Sequence, residues 1–169
     1  MIRRHFLTGL AAVFFLGMTR QLEAATAPAA EFAPLKKSKE QWKKLLSAEA
    51  YDVLFEEGTE RPHSSPLNAV KAPGTFICAA CYLPLFESKT KYESGTGWPS
   101  FWQPMKGRIA TKTDVLLVIP RTEYHCARCG GHQGHVFDDG PRPTGLRYCN
   151  NGVALKFVPE PDKLPALRA

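Results

Sequence analysis

The stretch Cys126-Ala127-Arg128-Cys129-Gly130-Gly131-His132-Gln133-Gly134-His135-Val136-Phe137-Asp138-Asp139-Gly140-Pro141 decides how the rest of the chain is read. It joins a Cys-x-x-Cys pair, two imidazoles three apart among glycines, and a short apolar run beginning at His135. A second pair, Cys78-Ala79-Ala80-Cys81, lies upstream with 44 residues between the two. A two-residue spacer lets both thiolates of a pair converge on one ion, and two pairs close a tetrahedral sphere. The pattern therefore predicts a structural zinc site, one zinc per chain, held by Cys78, Cys81, Cys126 and Cys129. The competing reading, a redox-active dithiol, fits two equal pairs without an intervening proline less well. So long a separation exceeds the spacer of a minimal zinc finger, so the ion clips a larger sheet and stabilises it.

Around that clip the chain reads as mainly β. Pro62, Pro66, Pro73 and Gly74 punctuate it after Gly58, and the apolar runs are short and rich in β-branched or aromatic residues. Strands are expected at Thr75 to Cys78, Val115 to Ile119, Glu123 to His125, His135 to Phe137, Leu146 to Asn150 and Val153 to Val158. No connection after residue 75 carries a long amphipathic helix, so the pairing is antiparallel. Two short helices precede the strands. Ser38 and Gln41 have capping-box spacing, with Trp42, Leu45 and Leu46 on one helical face; Ser47 caps a second helix bearing Tyr51 and Leu54, which Gly58 stops.

The fifth cysteine, Cys149, has no partner left. It stands in Leu146-Arg147-Tyr148-Cys149-Asn150-Asn151-Gly152. On a strand, side chains two apart share a face, which groups Arg147, Cys149 and Asn151, with Val153, Leu155 and Phe157 continuing the parity. A neighbouring cation lowers a thiol's pKa and raises its thiolate fraction. The plain alternative is a buried structural cysteine. His132 and His135 suit proton transfer near neutral pH; solvated loop residues and a second metal site are the competing readings. In Gly95-Thr96-Gly97-Trp98-Pro99-Ser100-Phe101-Trp102, Trp98 is the preferred wall of a binding surface, set on a mobile glycine loop, whereas Trp102 suits packing.

The chain has 169 residues, 44% hydrophobic and 22% charged, which suits one globular domain and excludes collagen-like or wholly disordered classes. Its formal charge of +6 falls to +4 once residues 1 to 27 are set aside, and no Lys/Arg run concentrates it, so nucleic-acid binding is not expected. Met1 to Ala27 reads as an export signal: Arg3-Arg4 opens it, Phe6 to Met18 is apolar, and Ala25-Thr26-Ala27 supplies small residues for cleavage. The apolar stretch is 13 residues against the ~20 a spanning helix needs, so no stable membrane anchor is expected. Arg3-Arg4 followed by Phe6-Leu7 resembles a twin-arginine signal, which exports folded cargo and implies a periplasmic protein. Residues 28 to 37 form a flexible lead, and 38 to 169 a single domain.

From about Trp42 to Phe157 the motifs resemble the B-type methionine sulfoxide reductases, or peptide-methionine (R)-S-oxide reductases. The resemblance rests on Gly58-Thr59-Glu60, both cysteine pairs, Ser94 to Phe101, His132 to Pro141, Gly145-Leu146-Arg147-Tyr148-Cys149 and Asn151. It implies two antiparallel sheets with short N-terminal helices and a zinc clip. It further implies that Cys149 attacks the sulfoxide sulfur and becomes a sulfenic acid, that His132, His135 and Asn151 organise the oxygen and its proton, that Arg147 and Asp139 support the site, and that Trp98 receives the substrate's methyl group. Thr96 stands where some members carry a resolving cysteine, so the sulfenic acid needs an outside reductant such as thioredoxin or another thiol, with oxidised proteins as substrate. Asn150 replaces a residue usually apolar in that family and by parity faces away from the site. A zinc-clipped binding module built on the Trp98 loop is the alternative from another functional class.

Overall fold

The computed structural model describes residues 32–115 and 120–169. Residues 1–27, expected to be an export signal, and residues 28–31 of the expected lead lie outside the described residues. Residues 32–37 form neither helix nor strand, yet they are attached: the Leu35 amide donates to the Arg128 carbonyl at 2.7 Å, and Arg108 lies over the Phe32 ring.

Helix α1, Lys39–Leu45, starts at Ser38, whose hydroxyl accepts from the Gln41 amide while the Gln41 side chain accepts from the Ser38 amide. Both orphan donors are thereby satisfied, as the spacing predicts. Helix α2, Ala48–Glu56, is capped by Ser47 and stops before Gly58, with Glu57 rather than the glycine taking the left-handed turn, at φ 59. Its carboxylate is held by Lys112, which steadies a conformation most side chains avoid. The buried face of the two helices, Trp42, Ala50, Tyr51, Val53 and Leu54, covers one side of the core.

Among the described residues nine strands follow: β1 Gly74–Cys78, β2 Pro84–Glu87, β3 Lys91–Tyr92, β4 Ser100–Phe101, β5 Ile109–Asp114, β6 Arg121–Cys126, β7 His132–Phe137, β8 Arg147–Asn150 and β9 Leu155–Pro159. They form two antiparallel sheets, ordered β2-β1-β9 and β3-β4-β8-β7-β6-β5. The two meet through aromatic rings. Phe76 and Phe86, cross-strand partners in the small sheet, contact Phe101 of the large one at ring separations of 4.9 and 4.2 Å, and Phe86 reaches Tyr124 at 6.1 Å. All four are fully buried, and removing such a ring from water contributes about 1.5–3 kcal/mol.

Two expectations need correction, and a third lies largely outside the described residues. The strand over Val115 to Ile119 falls largely outside the described residues, and Val115 itself is exposed and not in a strand. The hairpin arm before it is β5, whose Ile-Ala-Thr-Lys-Thr-Asp sequence carries no apolar run because most of the strand faces solvent. Nor does one strand run from Val153 to Val158: Gly152–Ala154 is a 3-10 turn that carries the chain out of the large sheet and into the small one. The parity assumed from Cys149 to Phe157 is broken there.

Candidate active site

Cys149 lies in the middle of the large sheet, paired on one side with Ser100 of β4 and on the other with His135 of β7. Residues opposite each other in antiparallel strands share a face with Cβ atoms about 4.5–5.5 Å apart. The pairing is tight enough that Gly134 is required: a Cβ there would stand 1.9 Å from the Cys149 carbonyl oxygen. A cleft of about 200 Å³ opens over the pair, walled by Trp98, Phe137, Asn151, Thr59 and Arg121. The Trp98 indole is fixed by its N–H to the Glu60 carbonyl at 3.1 Å. The loop before it is pinned as well, for the Gly97 carbonyl accepts from the His63 amide at 2.7 Å and from the Asn68 side chain at 2.8 Å. Gly97 stands at φ 91, with no room for a Cβ beside His63.

The two imidazoles share a face for a reason that spacing hides. Residues three apart on a regular strand point to opposite sides, but the β6–β7 register runs Glu123↔His135, Tyr124↔Gly134, His125↔His132, leaving Gln133 as a bulge. The extra residue restores parity, and the His132 and His135 rings sit 5.4 Å apart. Their positions differ. His135 lines the cleft, and its Nε2 is 2.8 Å from an Asp114 oxygen that also accepts from Arg121 at 2.6 Å. His132 is 3% exposed, with Nδ1 2.8 Å from the buried Glu123 carboxylate, whose other oxygen is 2.8 Å from Lys112. Burial pushes the His132 imidazole down to about 4. The neutral ring therefore keeps its proton on Nδ1, facing Glu123. Burial also lowers His135, and the Asp114 hydrogen bond offsets part of that shift.

Burial pushes the Cys149 thiol above its usual range; Arg147 and the Thr96 hydroxyl pull it down without overcoming that. The cation next to the thiol thus acts in the expected sense but does not win. Arg147, which reaches the thiol, is also held in a two-toothed pair with Asp139, at 2.7 and 2.8 Å, and packs its guanidinium 4.2 Å from the Phe137 ring.

Asn151 lines the cleft, yet its amide clamps backbone: Oδ1 accepts from the Glu60 amide and Nδ2 donates to the Gln133 carbonyl, both at 3.1 Å. The Asn150 side chain is fully buried, accepting from the Tyr124 hydroxyl at 2.7 Å and donating to the Asn151 carbonyl, so it stabilises the strand end from the core side. Glu60, which the sequence motifs mark without a role, is the missing anchor. Its buried carboxylate accepts from the Gly152 and Val153 amides, so it holds the turn that follows the cysteine strand. Asp114, Arg121, Glu123 and Phe137 also contribute, and nothing in their local pattern singles them out, because each becomes relevant only through strand pairing.

The other four thiols gather at the C-terminal ends of β1 and β6, at Cys78 and Cys126, and in the turns that follow them. Their Sγ atoms lie within 4.8 Å of one another, with Cys78–Cys129 at 3.7 Å and Cys81–Cys126 at 3.5 Å. A tetrahedron with metal–sulfur bonds of about 2.3 Å has edges of about 3.8 Å, so the donor set fits one tetrahedral metal ion. The two knuckles are built alike: the Tyr82 amide donates to the Cys78 carbonyl and the Gly130 amide to the Cys126 carbonyl, with φ of 65 and 74 respectively. The Gln133 side chain donates to Cys78 Sγ at 3.6 Å, which links the bulge to the cluster.

A family model described as the SelR domain matches residues 46–159. The chain is 54% identical over 125 residues to "Peptide methionine sulfoxide reductase MsrB" of Leptospira interrogans, covering 73% of this chain and 95% of that protein. It is 52% identical over 127 residues to the protein of the same name from Methanosarcina barkeri, covering 75% and 89%. It is 50% identical over 128 residues to "Peptide methionine sulfoxide reductase B1, chloroplastic" of Arabidopsis thaliana, covering 75% and 62%.

Proposed function

We propose that this chain, which belongs to the SelR-domain family, reduces methionine-R-sulfoxide in oxidised proteins with Cys149 as its nucleophile. The reaction class follows from the family; the division of roles among residues is our reading of the cleft. The observation that carries it is the pairing of Cys149 with His135 in a cleft walled by Trp98 and Phe137.

Burial favours the neutral forms of both groups, a thiol and an imidazole. With Nε2 engaged by Asp114, Nδ1 is the ring nitrogen left to accept the thiol proton as sulfur attacks and to deliver it to the sulfoxide oxygen. The balance is closed: the oxygen and the thiol proton finish on Cys149 as S–O–H, and the substrate leaves as methionine, reduced by two electrons. Trp98 and Phe137 offer an apolar pocket to the methyl on sulfur. Arg147, held by Asp139, moderates the cost of charge on Cys149, and Asn151 fixes the backbone at the cleft's edge. His132 stays neutral behind His135 and orients it.

Two equivalents of an external thiol then restore Cys149, releasing water and a disulfide; a thioredoxin-like protein or a small thiol serves, since the other four cysteines are committed to the cluster. That cluster holds zinc in our reading, because four thiolates in a tetrahedral set favour zinc over harder ions. The Arg3-Arg4 segment supports export to the periplasm, and folding around the metal before export would keep the four thiols from oxidants.

The decisive test is Cys149→Ser assayed against separated R and S epimers with dithiothreitol. Wild type should reduce the R epimer alone, and the variant should lose turnover while retaining its metal; residual turnover above a few percent would remove Cys149 from the nucleophile's role.

A further inference from the structure

On the side of Cys149 away from His135, three hydroxyls stand in a row. Ser100, fully buried, is the cross-strand partner of Cys149. Its Oγ is 2.7 Å from Ser94 Oγ, which is 2.9 Å from Thr96 Oγ1. The Thr96 hydroxyl in turn is within reach of the Cys149 sulfur, and it is one of the groups that draw the thiol's pKa down. The far end is anchored too, for the Ser100 hydroxyl can donate to the Trp98 carbonyl at 3.1 Å.

Each hydroxyl has one proton to donate and lone pairs to accept with, so the row can be satisfied in either of two directions. In one, Ser100 donates to Ser94, Ser94 to Thr96, and Thr96 to the sulfur. In the other, the sulfur's own S–H or S–O–H donates to Thr96, and the row runs outward to end at the Trp98 carbonyl. The two directions suit different states of Cys149: the first stabilises a thiolate, the second a thiol or a sulfenic acid. Reversal requires only rotation of hydroxyl groups, with no movement of the heavy atoms. The burial that raises the thiol's pKa makes a donor of this kind valuable, because a buried anion needs hydrogen bonds that water no longer supplies.

We propose that Ser100, Ser94 and Thr96 form a reversible hydroxyl relay, with Thr96 as a catalytic residue that donates to the Cys149 thiolate and accepts from its protonated forms. This rests on the reading of Cys149 as the nucleophile. It also assigns Thr96, at the site where a resolving cysteine would sit, a positive role in this chain.

The test is alkylation of Cys149 by iodoacetamide as a function of pH, on the metal-loaded full-length chain. Thr96→Val keeps the shape and removes the hydroxyl. It should move the ionisation midpoint upward, slowing alkylation near neutrality about tenfold, the scale of one hydrogen bond to a charged group. Thr96→Ser should titrate as wild type. Ser94→Ala, whose side chain bonds Thr96 and Ser100, should move the midpoint in the same direction by less. A Thr96→Val midpoint equal to wild type overturns the relay, as does a Thr96→Ser midpoint as high as that of Thr96→Val, which would assign the effect to packing. An unshifted Ser94→Ala overturns the row beyond Thr96. Failure of the nucleophile reading is separately visible, as turnover surviving in Cys149→Ser.

Discussion

Cys149 and His135 face each other directly across the β7–β8 pairing, and the imidazole's Nε2 is held from behind by Asp114. A thiol and a base are thus set side by side on rigid backbone, each backed by groups on neighbouring strands. Loops contribute the Trp98 wall, while strands carry the thiol and the imidazole.

Replacing His135 with Gln removes the proton carrier without emptying the site. Turnover of methionine-R-sulfoxide should fall by about 10²–10⁴, the usual range for general acid–base catalysis. Cys149 should still alkylate in a pH-dependent way, since Arg147, Thr96 and Asp139, which bear on its ionisation, are retained. Steady-state kinetics and an alkylation profile on the same preparation check both halves.

Arg147 and Asp139 act on Cys149 in opposite senses, the guanidinium lowering the thiol's pKa and the carboxylate raising it. Arg147→Gln should move the thiol's ionisation to higher pH, and Asp139→Asn to lower pH. Thiolate absorbance in the ultraviolet, followed through a pH titration of each metal-loaded variant, reads the direction; shifts of the same sign would refute the assignment.

His132 ties stability to pH. Its folded pKa of about 4 lies below the ordinary 6.5 because burial disfavours the charged ring. As pH falls, the unfolded chain binds this proton first. The contribution to stability is therefore full above pH 6.5 and is lost between 6.5 and 4. Urea denaturation across that window should show wild type weakening more steeply than His132→Gln, and equal slopes would contradict the burial account.

Removing the metal should unfold the sheet junction. Cys78 ends β1 and Cys126 ends β6, so an ion held by the four thiols would join the small sheet to the large one. Elemental analysis should return one zinc per chain for wild type, and Cys78→Ser should bind little metal and show a lower thermal midpoint. A stable protein free of metal would contradict this role. Chelation should depress turnover only as fast as structure is lost, followed by circular dichroism, because the four thiols leave no coordination position open to substrate.

Much of this was legible in one dimension. The capping box at Ser38, the paired Cys-x-x-Cys spacing and the unpaired Cys149 depend on residues close in sequence or on counting, and a local rule reads them directly. The edge strand β5 was not legible, because a solvent-facing strand without an apolar run carries no hydrophobic period. Glu60 was marked but not explained: its carboxylate holds amides some ninety positions away, at Gly152 and Val153.

By itself the amino-acid order marked out the four paired cysteines that cluster, the unpaired Cys149 and the β class, since thiol spacing and residue chemistry are properties of the chain. Tertiary structure alone decided where the two histidines stand. An alternating strand would send His132 and His135 to opposite faces, and the Gln133 bulge brings both to one side. It also decided the charge state at Cys149, because the guanidinium beside the thiol favours the thiolate while burial in the paired sheet favours the proton more strongly. Pairing and burial are relations between strands, and no window of sequence contains them.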